Sequence, residues 1–170
     1  MIRVGVLTVS DRGARGERAD ESGQIIKQIV EGQLEARVVE YAIVPDEQGE
    51  IEARLRSWID LGGLDLVLTT GGTGFGPRDV TPEATVAVIQ RPAPGLAEAM
   101  RARGTAKTPH GMLSRGVAGI RGQSLVVNLP GSPKAVRECL EVILPALPHG
   151  LRLLRGEAAE AEHQYPGKTR

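Results

Sequence analysis

Thr69-Thr70-Gly71-Gly72-Thr73-Gly74-Phe75-Gly76-Pro77-Arg78-Asp79-Val80-Thr81-Pro82-Glu83-Ala84 joins a strand, a loop of phosphate size and the start of a helix. Just before it, Leu64-Asp65-Leu66-Val67-Leu68 is a short apolar run preceded by Gly62-Gly63, the pattern of a strand buried in a parallel sheet. The glycines at 71, 72, 74 and 76 then strip the turn of side chains, which lets the backbone visit positive φ and bring consecutive N–H groups up to an anion. Asp79 stands at the far lip. Thr81 is placed to cap the next helix, Pro82 suits its first position because no N–H is needed there, and Glu83 favours the positive helix end. A carboxylate beside an anion-binding loop repels its ligand unless a divalent cation bridges them, so the string points to magnesium.

Glycine-rich turns also serve simply to reverse the chain between strand and helix; the whole string is more specific than its glycines. It lacks the Gly-Lys-Ser/Thr ending of a P-loop, and no helix opens straight after the glycines as the dinucleotide fingerprint requires.

Working outward, Ile2 to Val9 reads as a first strand, followed by the polar Ser10-Asp11-Arg12-Gly13 and a helix capped by Ser22 with Ile25, Ile26, Ile29 and Val30 on one face. Arg37 to Val44 reads as a second strand, then a helix capped by Asp46 carries Ile51, Leu55, Trp58 and Ile59 and ends at Gly62-Gly63. After the Thr81 helix, Pro94-Gly95 opens another. Between Gly104 and Gly122 the pattern is weaker, with Met112 to Arg115 as a short helix and Val117 to Ile120 as a strand. Ser124 to Asn128 forms a strand, Ser132 caps a helix with Pro133 at its first position, and Pro145 and Pro148 divide the helical stretch that follows. Residues 1–156 thus form a single domain and 157–170 a polar tail. Alternating strands and helices predict an α/β fold of three layers, α/β/α, around a mainly parallel sheet. Ligands of such sheets gather beyond the carboxyl ends of the strands, where Ser10-Asp11, Asp46, the glycine loop with Asp79, and Asn128 to Ser132 all fall.

Composition excludes several classes. The 170 residues carry 21 basic and 21 acidic side chains, so no overall field recruits nucleic acid or an acidic membrane. One Trp, two Tyr and one Phe make a poor base-stacking platform. Cys139 shares an apolar stripe with Val136, Leu140 and Ile143, which makes it a core residue rather than a nucleophile, and His110, His149 and His163 have no metal-ligand spacing. The start of the chain has no cleavable hydrophobic signal and no apolar run reaches membrane-spanning length, so a cytoplasmic location is expected.

Several candidates have two readings. Asp46 serves equally as a helix cap or a functional carboxylate; Asp11 and Arg12 suit a surface ion pair; Ser132 is a cap in its own right. Ser114-Arg115 offers a hydroxyl and a cation to an anionic substrate, or simply a solvated helix face, and Asn128 suits either a heterocycle edge or a turn.

Taken with Thr69 to Ala84, the segments Thr8-Val9-Ser10-Asp11-Arg12, Asp20-Glu21-Ser22-Gly23, Val44-Pro45-Asp46, Pro94-Gly95-Leu96-Ala97-Glu98, Leu113-Ser114-Arg115 and Val127-Asn128-Leu129-Pro130-Gly131-Ser132-Pro133-Lys134 resemble the molybdenum cofactor biosynthesis family of the MogA/MoaB type. The resemblance runs to about Gly156. It implies the MogA-like α/β/α fold, a homotrimer, and a magnesium-dependent adenylyltransferase that joins the AMP of ATP to the terminal phosphate of molybdopterin. Under it, Asp46 and Asp79 become the catalytic acids and the magnesium ligands. Ser10, Asp11, Thr70, Gly71, Gly72, Thr73, Gly74, Arg78, Ser114, Arg115, Asn128, Pro130, Gly131 and Ser132 become substrate and nucleotide contacts, and a MoeA-type insertion protein becomes a partner. The same resemblance leaves room for a non-catalytic molybdopterin carrier of the MoaB type, and the fold alone for a nucleotide hydrolase.

Overall fold

A computed structural model describes residues 1–157. The elements are β1 (Ile2–Val9), α1 (Asp11–Ala14), α2 (Glu21–Gln33), β2 (Ala36–Val44), α3 (Gln48–Arg56), β3 (Leu66–Thr70), α4 (Thr81–Val88), β4 (Arg91–Pro92), α5 (Pro94–Lys107), β5 (Ala118–Arg121), β6 (Ser124–Leu129), α6 (Pro133–Ile143) and α7 (Leu147–Leu154). A wide π turn, Ser57–Leu61, prolongs α3, and a 3₁₀ turn, Pro109–Leu113, follows α5. The strands form one sheet in the order β2-β1-β3-β6-β5-β4. Its first four strands are parallel, and β5 and β4 close one edge in antiparallel register.

Alternation along the central strands builds two cores. Val4, Val6, Leu66, Leu68, Leu125, Val127 and Leu129 point to one face, against Ile26 and Val30 of α2, Met100 of α5, Val136 and Leu140 of α6, and Leu147 and Leu151 of α7. Leu7, Val9, Val67 and Val126 point to the other, against Ile51, Leu55 and Trp58 of α3 and its π turn and Ala84 and Val88 of α4. A sheet buried on both faces between helices is the three-layer α/β/α architecture that the near-continuous apolar runs of β1, β3 and β6 predict. Register then matters for the site: Thr8 pairs with Thr70 of β3 and Thr69 with Asn128 of β6, so these strands end together along one edge.

Three helix starts differ from the sequence reading. α2 is capped by Asp20, which accepts the Gly23 N–H, and Ser22 lies inside the first turn. α3 begins after Glu47 with no side-chain cap, because the Asp46 carboxylate is turned elsewhere. α4 has Thr81 as its first residue, and the Thr81 hydroxyl donates to the Gly71 carbonyl at 2.9 Å rather than capping the helix. In each case a long-range partner outcompetes the local one. The Ser132 cap forms as expected, accepting the Ala135 N–H at 3.2 Å. The expected helix at Met112 to Arg115 is replaced by the 3₁₀ turn, which leaves Ser114 and Arg115 in extended chain beyond it, and β5 starts one residue later than read. Cys139 lies at the rim of a core, half-buried, where desolvation pushes its thiol up to about 11 and makes it a poor nucleophile. Of the expected polar tail only Glu157 falls within the described residues.

Candidate functional site

At the carboxyl edge of the sheet the ends of β1, β3 and β6 and the first turns of α2 and α6 surround a cleft of about 580 Å³. Its walls carry Ser10, Asp46, Thr70, Gly71, Gly72, Asp79, Gly131 and Ser132 of the predicted set. The glycine loop makes its floor. Gly71 and Gly72 adopt φ of +92° and +66°, and any Cβ would stand 2.3 Å from the Val9 carbonyl oxygen at Gly71 and 2.3 Å from the Thr81 hydroxyl at Gly72. Glycine is therefore required at both positions for conformation and for space. Among the described residues the N–H groups of Gly72, Thr73 and Gly74 make no intramolecular hydrogen bond. Of the three, Gly72 lines the cleft, and an unpaired donor there is suited to receive an anion.

The two carboxylates frame that loop. Asp46 Oδ2 accepts the Asp11 N–H at 2.8 Å, and Asp11 Oδ1 accepts the Asp46 N–H at 3.0 Å, so the ends of β1 and β2 clasp each other. Asp79 Oδ2 accepts the Gly76 N–H at 2.9 Å. Among the described residues each carboxylate thus has one oxygen tied and one without a partner. Burial raises the Asp46 carboxyl above its ordinary value of 3.8, and the neighbouring negative charges of Asp11 and Asp79 push it the same way. Asp46 and Asp79 line the same cleft. Two carboxylates with free oxygens fit a magnesium ion that takes its other ligands from water and substrate phosphates; among the described residues no cluster of three or more potential ligands forms a closed metal cage.

The raised Asp46 carboxyl gives a signed prediction. Between 3.8 and its higher value in the folded protein, the folded state holds more protons than the unfolded one, so this group's penalty is present at neutral pH and fades as pH falls through that window. Asp46→Asn is expected to be more resistant to urea than the parent protein near neutral pH, and the gap is expected to close on acidification toward 3.8. An unchanged gap across that range contradicts the assignment of the penalty to Asp46.

Arg78 and Arg115 both have partners within the protein. Arg78 is engaged by Asp11 through Nε at 2.7 Å and Nη2 at 3.1 Å, and by Glu47 at 2.7 Å. Asp11 therefore pairs with Arg78 rather than with Arg12, and this guanidinium holds the Asp11 carboxyl below the usual range. Arg115 donates to the carbonyls of Gly74 and Asp79, each at 2.7 Å, and pairs with Glu83. Arg115 thus ties the two ends of the 74–79 segment together, Arg78 joins Asp11 to Glu47, and neither lines the cleft. Thr73 and Gly74 also face away from it, their carbonyls taken by the Arg115 N–H and guanidinium.

A second cavity, of about 230 Å³, lies between α5, the 3₁₀ turn and α6 and contains Ser114, Asn128 and Pro130 of the predicted set. The Asn128 amide is spent inside the protein: it donates to the hydroxyls of Thr69 at 3.0 Å and Thr85 at 2.8 Å and accepts the Val117 N–H at 3.1 Å. Its role here is to tie β6 to β3, α4 and the start of β5. Asn128→Ala is expected to cost about 2–3 kcal/mol, because two buried hydroxyls and the part-buried Val117 N–H lose their partner at once. Urea unfolding checks this, and a loss below about 0.5 kcal/mol contradicts it.

Sequence reading missed part of the wall. Asp20 accepts from Thr8 at 2.7 Å and from the Tyr41 hydroxyl while capping α2, and Ser22 donates to the Gly131 carbonyl at 2.7 Å, which fastens α2 to the loop before α6. Arg18 also lines the cleft. Only the Asp20 cap has a local signal, an acidic residue three positions before a free N–H; the rest depends on contacts between distant strands.

Residues 5–149 match the family model described as "Probable molybdopterin binding domain". The chain belongs to this family. The crystal structure of a MoaB from Thermus thermophilus, described as a molybdopterin biosynthesis enzyme, superimposes with a TM-score of 0.87 at 56% identity over 92% of this chain and 98% of that one. A molybdopterin adenylyltransferase of Helicobacter pylori strain J99 is 46% identical, over 91% of this chain and 89% of its own length. Gephyrin of Dictyostelium discoideum is also 46% identical over 91% of this chain, which spans 23% of gephyrin's length. The fold, a six-stranded mainly parallel sheet between helices, is that of the MoaB and MogA structures. Among the described residues no helix is long and apolar enough to cross a membrane.

Proposed function

We propose that this chain is a molybdopterin adenylyltransferase, which transfers the AMP of ATP to the terminal phosphate of molybdopterin and releases pyrophosphate. The observation that carries the reading is the pair of carboxylate oxygens, on Asp46 and Asp79, without a partner among the described residues, in an open cleft that the unpartnered Gly72 N–H also lines. A terminal phosphate is largely ionised near neutral pH, so the reaction needs no side chain to activate its nucleophile. One of its oxygens bonds to the α-phosphorus of ATP as the bond to pyrophosphate breaks, and no proton has to move.

The work left to the protein is positioning and charge. The Gly72 N–H would receive a phosphate oxygen, and the constrained turn around Gly71 keeps it in place. Ser10 and Ser132 accept backbone N–H groups at their helix starts and keep their hydroxyl hydrogens for a substrate oxygen. Asp46 and Asp79 would hold magnesium, which when bound neutralises charge on the phosphates. The resemblance also supports a homotrimer, a cytoplasmic location and hand-over of the product to a MoeA-type insertion protein.

Pyrophosphate release from ATP and magnesium, measured with and without molybdopterin, tests the reading. Release that requires molybdopterin supports it. Release from ATP alone makes the protein a nucleotide hydrolase, and molybdopterin binding without release makes it a carrier; either result overturns the proposal.

A further inference from the structure

The cleft is acidic for a site that takes polyphosphate. Among the described residues its lining includes the acidic Asp20, Glu21, Asp46 and Asp79 and one cationic residue, Arg18. Even with one divalent cation on Asp46 and Asp79, the wall does not offset the charge of a triphosphate. The two arginines that sequence offered for this task are held by Asp11, Glu47 and Glu83 and by backbone carbonyls. Arg18 differs from them in every respect. It is exposed, it lies in the loop between α1 and α2 where it lines the cleft together with Gly71 and Gly72, and among the described residues it has no ion pair or hydrogen bond. Arg15, in the same loop, is already paired with Glu17.

We infer that Arg18 is a phosphate clamp: its guanidinium closes over the polyphosphate of the nucleotide bound in the cleft and holds the pyrophosphate portion. This rests on the adenylyltransferase reading for the identity of the nucleotide, but the clamp itself is a binding claim. A guanidinium offers paired donors in a plane that matches two phosphate oxygens, and the loop position allows it to close without disturbing the sheet. Because the pyrophosphate is held alike before and during transfer, Arg18 contributes mainly to binding.

Calorimetric titration of the protein with inorganic pyrophosphate and magnesium, in parent, Arg18→Ala and Arg18→Lys forms, tests the clamp directly, beside steady-state kinetics. Arg18→Ala is expected to weaken pyrophosphate binding by about 10-fold and to raise the KM for ATP by a similar factor, with a smaller change in kcat. Arg18→Lys is expected to recover part of the loss, and AMP binding to stay unchanged. Unaltered pyrophosphate affinity and ATP KM in Arg18→Ala overturn the inference; so does a change confined to the KM for molybdopterin, which places the side chain on the pterin's phosphate instead. Arg18-dependent pyrophosphate binding in a protein that forms no adenylyl-molybdopterin retains the clamp and removes the proposed reaction.

Discussion

Asp79→Asn is expected to lower the rate of adenylyl transfer by about 10²- to 10³-fold and to leave the fold intact. The asparagine oxygen can still accept the Gly76 N–H that now bonds Asp79 Oδ2, so the turn before α4 keeps its local hydrogen bond. What disappears is a full negative charge at the free oxygen, opposite Asp46. Asp46→Asn is expected to behave alike, since an amide oxygen can replace Oδ2 as acceptor of the Asp11 N–H. In both variants the loss belongs in kcat/KM for transfer, with circular dichroism and urea unfolding close to the parent or, for Asp46→Asn, shifted toward greater stability because a desolvated charge has gone. The double variant is expected to lose far less than the product of the single losses, because the two carboxylates act on one bound charge. Full additivity, or parent-like turnover in either single variant, removes them from the catalytic machinery.

Gly71→Ala is expected to be strongly damaging. The added Cβ meets the Val9 carbonyl oxygen at 2.3 Å, a backbone atom at the end of a central strand that has no room to retreat, and alanine is strained at a φ of +92°. Strain and overlap together are expected to cost about 3–5 kcal/mol of folding stability. Activity is expected to fall further than stability alone explains, since the loop must move and carries its N–H groups with it. Gly16, with a φ of +72° and open space around it, is the control: Gly16→Ala brings strain without overlap and is expected to cost about 1 kcal/mol. Comparable destabilisation by the two changes contradicts the close approach of Val9 to Gly71.

The fold was legible because it rests on periodicity. The apolar runs of β1, β3 and β6 state their burial on both faces, and the glycine pairs and prolines mark where helices stop. The floor of the site was legible for a related reason: Gly71 and Gly72 are set by local backbone geometry, which leaves a local trace. Caps were less so. Ser22, Asp46 and Thr81 all have the chemistry of a cap, yet each is drawn to a group at least ten residues away, at Gly131, Asp11 and Gly71. The arginines show the same limit more sharply. Arg78 beside an anion loop reads as a phosphate ligand until Asp11 and Glu47 are seen to converge on it, and Arg18, in a polar stretch with no motif, gives no sign that it faces the cleft. Position in sequence specifies which groups are present; only the meeting of distant strands decides which are spent on each other and which remain for a ligand.

The central claim is that two free carboxylate oxygens beside the glycine loop serve the joining of AMP to molybdopterin. The most direct measurement is mass spectrometry of the products formed by the purified protein from molybdopterin, ATP and magnesium, with Asp79→Asn in parallel. The account predicts adenylyl-molybdopterin that requires both substrates and is nearly abolished in Asp79→Asn. Molybdopterin recovered unmodified from the parent protein, or the adenylylated product formed equally well by Asp79→Asn, would contradict it.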